Sequence, residues 1–294
     1  MSLLGRIGVY FAFCLAACVT PFCLAHAGEN PTRADCTIST AHLTNSYGAQ
    51  LYTVRAAMAQ DFEGTLCRVA QIGYREVEFA GLFDRDPLDI RTILIGYNLD
   101  AVASHADWRQ LRDDPQMAIR DAKSLGARYL VLAWLPPEER QTLAQWRWWA
   151  GHLNKIGAIS GQKGITLLYH AHDFEYEAIE GVRPIDLLQE QLDPKLVNFE
   201  MDIYWTVKGG GDPVTLLRRF PGRYPLVHVK DMQHDYTGIA DIGDGRIDFS
   251  SIFAAAGSRD FLHKFVERDD AIAPFETLRR SLQHLKSIER EPTK

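Results

Sequence analysis

The sequence predicts an α/β fold, a single closed (β/α)8 TIM barrel, on three observations. Eight apolar runs recur between residues 46 and 290, their starts 24 to 38 residues apart. Each interval has room for one helix and two loops, the βαβ rhythm of a parallel sheet. No G-x-G-x-x-G follows the first run, which argues against a doubly wound open sheet. Single α/β barrels also commonly run to about 250 residues, so one domain suffices.

Composition agrees with a globular enzyme-sized domain. The 294 residues are 46% hydrophobic and 24% charged, which sets aside disorder and coiled coil. The formal net charge is −6. An acidic chain has no electrostatic footprint for a nucleic-acid backbone or an anionic membrane surface.

The chain opens with a segment outside the barrel. Arg6 precedes an apolar run from Ile7 to Leu24, and Ala25-His26-Ala27 supplies small residues at a cleavage point. This reads as a secretory signal peptide over 1–27, with export to the periplasm. Two alternatives are an uncleaved anchor of about 18 residues and a lipoprotein acylated at Cys18. Residues 28–45 read as a polar N-terminal tail. Of the five cysteines, Cys36 and Cys67 lie beyond the leader. In an exported protein they could pair, tying tail to first helix; otherwise Cys36 is a free thiol and Cys67 a small core residue. No C-x-x-C or Cys/His cluster exists, which excludes thiolate zinc sites and redox motifs.

The strands are expected at GAQLYTV (48–54), EVEFAG (76–81), DAVASHA (100–106) and RYLVLAW (128–134). Four more follow at TLLYHAH (166–172), NFEMDIYW (198–205), LVHVKDM (226–232) and KFVERDD (264–270). Helix signals fill the gaps. Asp61 to Gly73 carries an apolar face and a terminal glycine, Asp212-Pro213 reads as N-cap and first helical residue, and Asp248 caps a start at Phe249.

Several strands end in residues that a buried strand should avoid. These are Glu78, His105, His170, His172, Asp202, His228, Lys230 and Glu267. In a barrel the C-terminal strand ends form the active-site floor. Buried charges are costly unless paired or bound to a cation. His170, Asp202, His228 and Glu267 would converge on one axis as a mixed N/O site. That donor set suits one divalent ion, Mn²⁺, Co²⁺, Zn²⁺ or Fe²⁺ more than Mg²⁺. Glu76 is expected one layer below the rim.

LLYHAHDFEY, FEMDIYWTVKGGGDP, LVHVKD, IGDGRIDFSSIF and FVERDD resemble motifs of the xylose isomerase-like TIM-barrel superfamily, the sugar phosphate isomerase/epimerase group. GAQLYTVR is similar to its exported bacterial members. The resemblance spans roughly residues 46 to 285 and implies one divalent cation held by Asp202, His228 and Glu267, with His170 at the strand-five position. Ketose epimerases of that group carry Glu at this last position, so His170 is a departure that weakens a symmetric two-glutamate epimerisation. Relatives with dehydratase activity carry a His two residues further on, as His172 is here.

The resulting expectation is a metal-dependent sugar isomerase or epimerase working by proton abstraction next to a carbonyl. Its substrate is a small sugar or keto-sugar. Glu78, His172 and Lys230 are alternative bases, with Lys230 also a candidate oxyanion holder, and His105 would orient a hydroxyl. A lyase or dehydratase on a keto-sugar or keto-glycoside is the alternative. A non-catalytic carbohydrate-binding barrel is the reading of another class. Trp134, Tyr204 and Trp205 would offer faces to a sugar ring. Gly209-Gly210-Gly211 reads as a flexible loop at the site mouth, Gly243-Asp244-Gly245 as a turn, and Trp146, Trp148 and Trp149 as helix packing.

Overall fold

The computed structural model describes Cys36 and residues 47–290. The expected leader, the Cys18 acylation point and most of the tail lie outside the described residues. Among the described residues ten strands occur: β1 (Tyr47–Gln50), β2 (Glu76–Phe79), β3 (Asp100–Ala106), β4 (Tyr129–Leu132), β5 (Thr166–His170), β6 (Val197–Asp202), β7 (Leu226–Val229), β8 (Asp231–Met232), β9 (Ile239–Ala240) and β10 (His263–Val266). Eight of them close into a parallel barrel, in the order β1-β10-β7-β6-β5-β4-β3-β2. β8 and β9 form a separate antiparallel ribbon.

All eight expected strands form, but several are shorter than the apolar runs. β1 stops at Gln50, whose side chain accepts from the Tyr52 amide and starts a 3-10 turn over Leu51–Val54. β6 stops at Asp202, whose Oδ1 accepts from the Trp205 amide at 2.9 Å and caps the helix Ile203–Lys208. Local capping thus ends a strand that apolarity alone would continue. Two expected helices keep their signals: Asp61 caps Phe62–Ile72, which ends at Gly73 with φ 119°. Asp212 caps Pro213–Arg219. Cys36 and Cys67 form a disulfide that ties the N-terminal segment to Phe62–Ile72.

The inside of the barrel is layered, with side chains two apart on a strand stacked along the axis. At the lower end Glu76 meets His263 at 2.8 Å, deeper than the single layer below the rim expected from the sequence, because Glu78 and Glu200 fill that layer. Above it lies an apolar plug of Val102, Ala103, Val131, Leu168, Leu226 and Phe265. Gly48 faces this plug, where a Cβ would sit 2.5 Å from the Phe265 ring. The next layer up is almost entirely polar.

Three further expectations are settled by packing. Trp146 and Trp149 are buried, while Trp148 is half exposed and stacks on His152. Tyr204 is not a sugar face: it is buried against Met232 and Ile239. The triple glycine is no loose loop, because Cβ atoms on Gly209 and Gly211 would lie 2.7 and 2.6 Å from the Tyr176 ring.

Candidate metal centre and active site

The lower polar layer joins Glu78 of β2, His105 of β3 and Glu200 of β6, with no exposed surface on either glutamate. Glu78 lies 2.6 Å from His228 Nε2 and 3.2 Å from His105 Nε2. Glu200 lies 3.0 Å from His170 Nδ1, 3.2 Å from His228 Nε2 and 3.3 Å from His105 Nε2. Burial opposes a charge on His105, but Glu78 and Glu200 outweigh it and push its pKa up to about 9. Glu200 is held well below the ordinary carboxylate range: burial resists, and His228, His105 and His170 overcome it.

The upper layer faces the open end. His170 Nε2, Asp202 Oδ2 and a ring nitrogen of His228 form a donor group whose atoms lie within 4.8 Å of one another. Asp202 Oδ2 is 3.9 Å from His170 Nε2 and 3.8 Å from His228 Nδ1. Glu267, which follows β10, brings Oε2 to 2.9 Å from His228 Nδ1. Lys230, buried just beyond β7, places Nζ 2.9 Å from Asp202, 2.8 Å from Glu267 and 2.8 Å from Asp269. Burial disfavours its charge, but these carboxylates hold it protonated well above the ordinary lysine range.

This donor set fits a divalent ion. Ligands about 2.0–2.2 Å from a common centre lie roughly 3–4 Å apart, close to the separations here. Asp202 Oδ2 and His228 Nδ1 are buried, and charged partners stand close to both: Lys230 Nζ is 2.9 Å from Asp202 Oδ2, and Glu267 Oε2 is 2.9 Å from His228 Nδ1. The glutamates beneath supply the supporting partners that metal-binding imidazoles use: Glu200 takes His170 Nδ1 and Glu78 takes His228 Nε2, leaving the opposite nitrogens toward Asp202. Charge agrees as well. Asp202, Glu267 and Asp269 converge on the single Lys230 ammonium, an imbalance that a further cation relieves.

A cavity of about 760 Å³ opens above this layer. It is lined by His105, His170, His172, His228, Lys230 and Glu267, with Trp134, Phe174 and Trp205 among its aromatic walls. The His172 ring lies parallel to Phe174, with centroids 5.3 Å apart and planes at 8°. Burial, then the neighbouring His170 and Lys230, hold it neutral with its pKa well below the ordinary histidine value.

The structure therefore gathers His170, His172, His228, Lys230 and Glu267 on one cavity, with Asp202 buried behind them against His228 and Lys230. Glu78 does not reach that surface. It is buried one layer down on His228, a geometry for orienting an imidazole rather than abstracting a substrate proton. His105 lines the cavity, yet its Nε2 turns down to the two glutamates. Sequence reasoning named no role for Glu200, although its position two residues before Asp202 puts it on the same strand face. It also passed over Glu175, which the sequence does not distinguish from the neighbouring acidic residues Asp173 and Glu177.

The sequence model of the xylose isomerase-like TIM barrel family matches residues 66–288. An inosose dehydratase of Geobacillus kaustophilus is 29% identical over 250 residues, covering 71% of this chain and 80% of its own. A sugar phosphate isomerase/epimerase from Parabacteroides distasonis superposes with a TM-score of 0.71 at 24% identity, over 86% of this chain and 98% of its own. A probable 3-DHS dehydratase from Bacillus anthracis shares the fold with a TM-score of 0.62 at 13% identity, over 82% of this chain and 98% of its own.

Proposed function

The chain belongs to the xylose isomerase-like TIM barrel family, and from that premise we propose that it is a metal-dependent lyase that removes water from a keto-sugar or keto-polyol. This reverses the order expected from sequence, in which isomerisation came first. The observation that carries it is the neutral His172 imidazole lining the cavity beside the donor group, with His170 where a second carboxylate base would stand. The inosose dehydratase among the relatives supports the same reading.

His170, Asp202, His228 and Glu267 would hold one divalent ion. When bound, that ion supplies Lewis acidity toward a carbonyl and its neighbouring hydroxyl. His172 removes the proton on the carbon next to the carbonyl, a task that needs a neutral imidazole within hydrogen-bond reach. The imidazolium so formed returns the proton to the hydroxyl one carbon further on, which leaves as water. A carbon–carbon double bond conjugated to the carbonyl remains, and His172 is neutral again. Lys230 stays protonated throughout and steadies negative charge developing on oxygen. Trp134 and Trp205 offer apolar walls to the ring.

The test is incubation of Mn²⁺- or Co²⁺-loaded protein with a panel of keto-sugars and keto-inositols in D₂O, followed by NMR and ultraviolet absorption. Deuterium should enter next to the carbonyl, and an unsaturated ketone or its tautomer should accumulate. Exchange with a rearranged sugar and no loss of water would restore the isomerase reading. Neither exchange nor product, with sugar bound, would favour a carbohydrate-binding barrel.

A further inference from the structure

Glu175 is a fully buried carboxyl that the proposed chemistry does not use. It sits in the 3-10 turn Phe174–Tyr176, just beyond β5. Its Oε1 accepts from the Tyr169 hydroxyl at 2.5 Å, and its Oε2 accepts from the His172 backbone amide at 2.7 Å. Tyr169 immediately precedes His170 on β5, so one side chain ties the loop to the strand carrying a metal-site imidazole.

The residues beside Glu175 extend the same grip. Phe174 lays its ring against the His172 imidazole, and the Arg140 guanidinium lies 3.5 Å from the Phe174 ring centre. Tyr176 packs into Gly209 and Gly211 and donates to Thr206 Oγ1 at 3.2 Å. A buried acceptor with two donors aimed at it is costly to remove, because both donors then lack a partner.

We propose that Glu175 is a positioning residue that sets where the His172 imidazole meets the substrate, by accepting the Tyr169 hydroxyl and the His172 amide together. The inference rests on the reading of His172 as the proton-transfer group. Displacing such a group by about 1 Å costs on the order of 100-fold in rate.

A double-mutant cycle on the metal-loaded enzyme tests it, with kcat and KM measured separately. Glu175→Ala should lower kcat by about 10- to 100-fold and move KM little. Glu175→Gln should recover most of that loss, since its amide can accept from the His172 N–H and donate to the Tyr169 oxygen. In a His172→Ala background, Glu175→Ala should cost no more than about twofold, because the two act as one unit. If Glu175→Ala does not fold, Glu175→Asp, which withdraws the carboxylate by one methylene, takes its place in the cycle. Losses that multiply in full, a Gln variant as impaired as Ala, or a Glu175→Ala enzyme at wild-type rate would each overturn the positioning role. A His172→Ala enzyme with unchanged kcat would overturn the reading beneath it, and the positioning role with it.

Discussion

The Nε2 of His228 lies 2.6 Å from a carboxylate oxygen of Glu78, both side chains fully buried. With Nε2 engaged, Nδ1 is the nitrogen left toward Asp202 and Glu267. Outer partners of this kind are typically worth 10- to 100-fold in metal affinity. Glu78→Gln should therefore weaken Co²⁺ binding by roughly that factor, while His228→Ala abolishes it. Calorimetric titration of metal-free protein measures both, and equal affinities in wild type and Glu78→Gln would remove the orienting role.

Protein purified without chelator should contain about one divalent ion per chain, by elemental analysis. Binding to the native state alone stabilises it by about 2.7 kcal/mol at 100 times Kd, so chelation should lower Tm reversibly. Glu76→Gln should bind metal as wild type does, because Glu76 pairs with His263 below the apolar plug. Protein that takes up no Mn²⁺, Co²⁺ or Zn²⁺ would exclude the site.

Burial pushes the Glu175 carboxyl up to about 7, against its bonds from Tyr169 and His172. A carboxyl whose folded pKa exceeds the unfolded value of 4.5 favours folding fully at low pH, and that contribution is lost as pH rises from about 4.5 through 7. The loss is on the order of 3 kcal/mol at most. Glu175→Gln, which resembles the protonated form, should gain stability over wild type above pH 7 and none at pH 4.5. Denaturant unfolding at both pH values reads the difference, and a pH-independent difference would contradict the assignment.

Gly211→Ala should destabilise the fold by about 1–3 kcal/mol, the usual cost of overpacking. Its added methyl would lie 2.6 Å from the Tyr176 ring and 3.1 Å from the Thr206 carbonyl. Gly151→Ala is the control, since a Cβ there meets nothing within 4 Å. Thermal unfolding should separate the two, and a stable Gly211→Ala would mean that the Tyr176 ring yields.

What the sequence determined by itself was the barrel, its strand order and the residues at its rim. Apolar runs spaced by helices require a parallel sheet, and period-two alternation assigns His170, Asp202, His228 and Lys230 to the inward face of their strands. Asp61, Asp212 and Asp248 were legible because capping is local. Tertiary structure decided depth. Glu78 lies a layer below the metal donors, and Glu200 joins it there, because height along the axis follows from strand tilt and stagger, which alternation does not encode. Pairing of Cys36 with Cys67, the seating of Tyr176 on Gly209 and Gly211, and the two bonds of Glu175 were decided at the same level. The first two join segments distant in sequence, and the last folds a turn back onto the strand before it, contacts that neither periodicity nor residue type encodes.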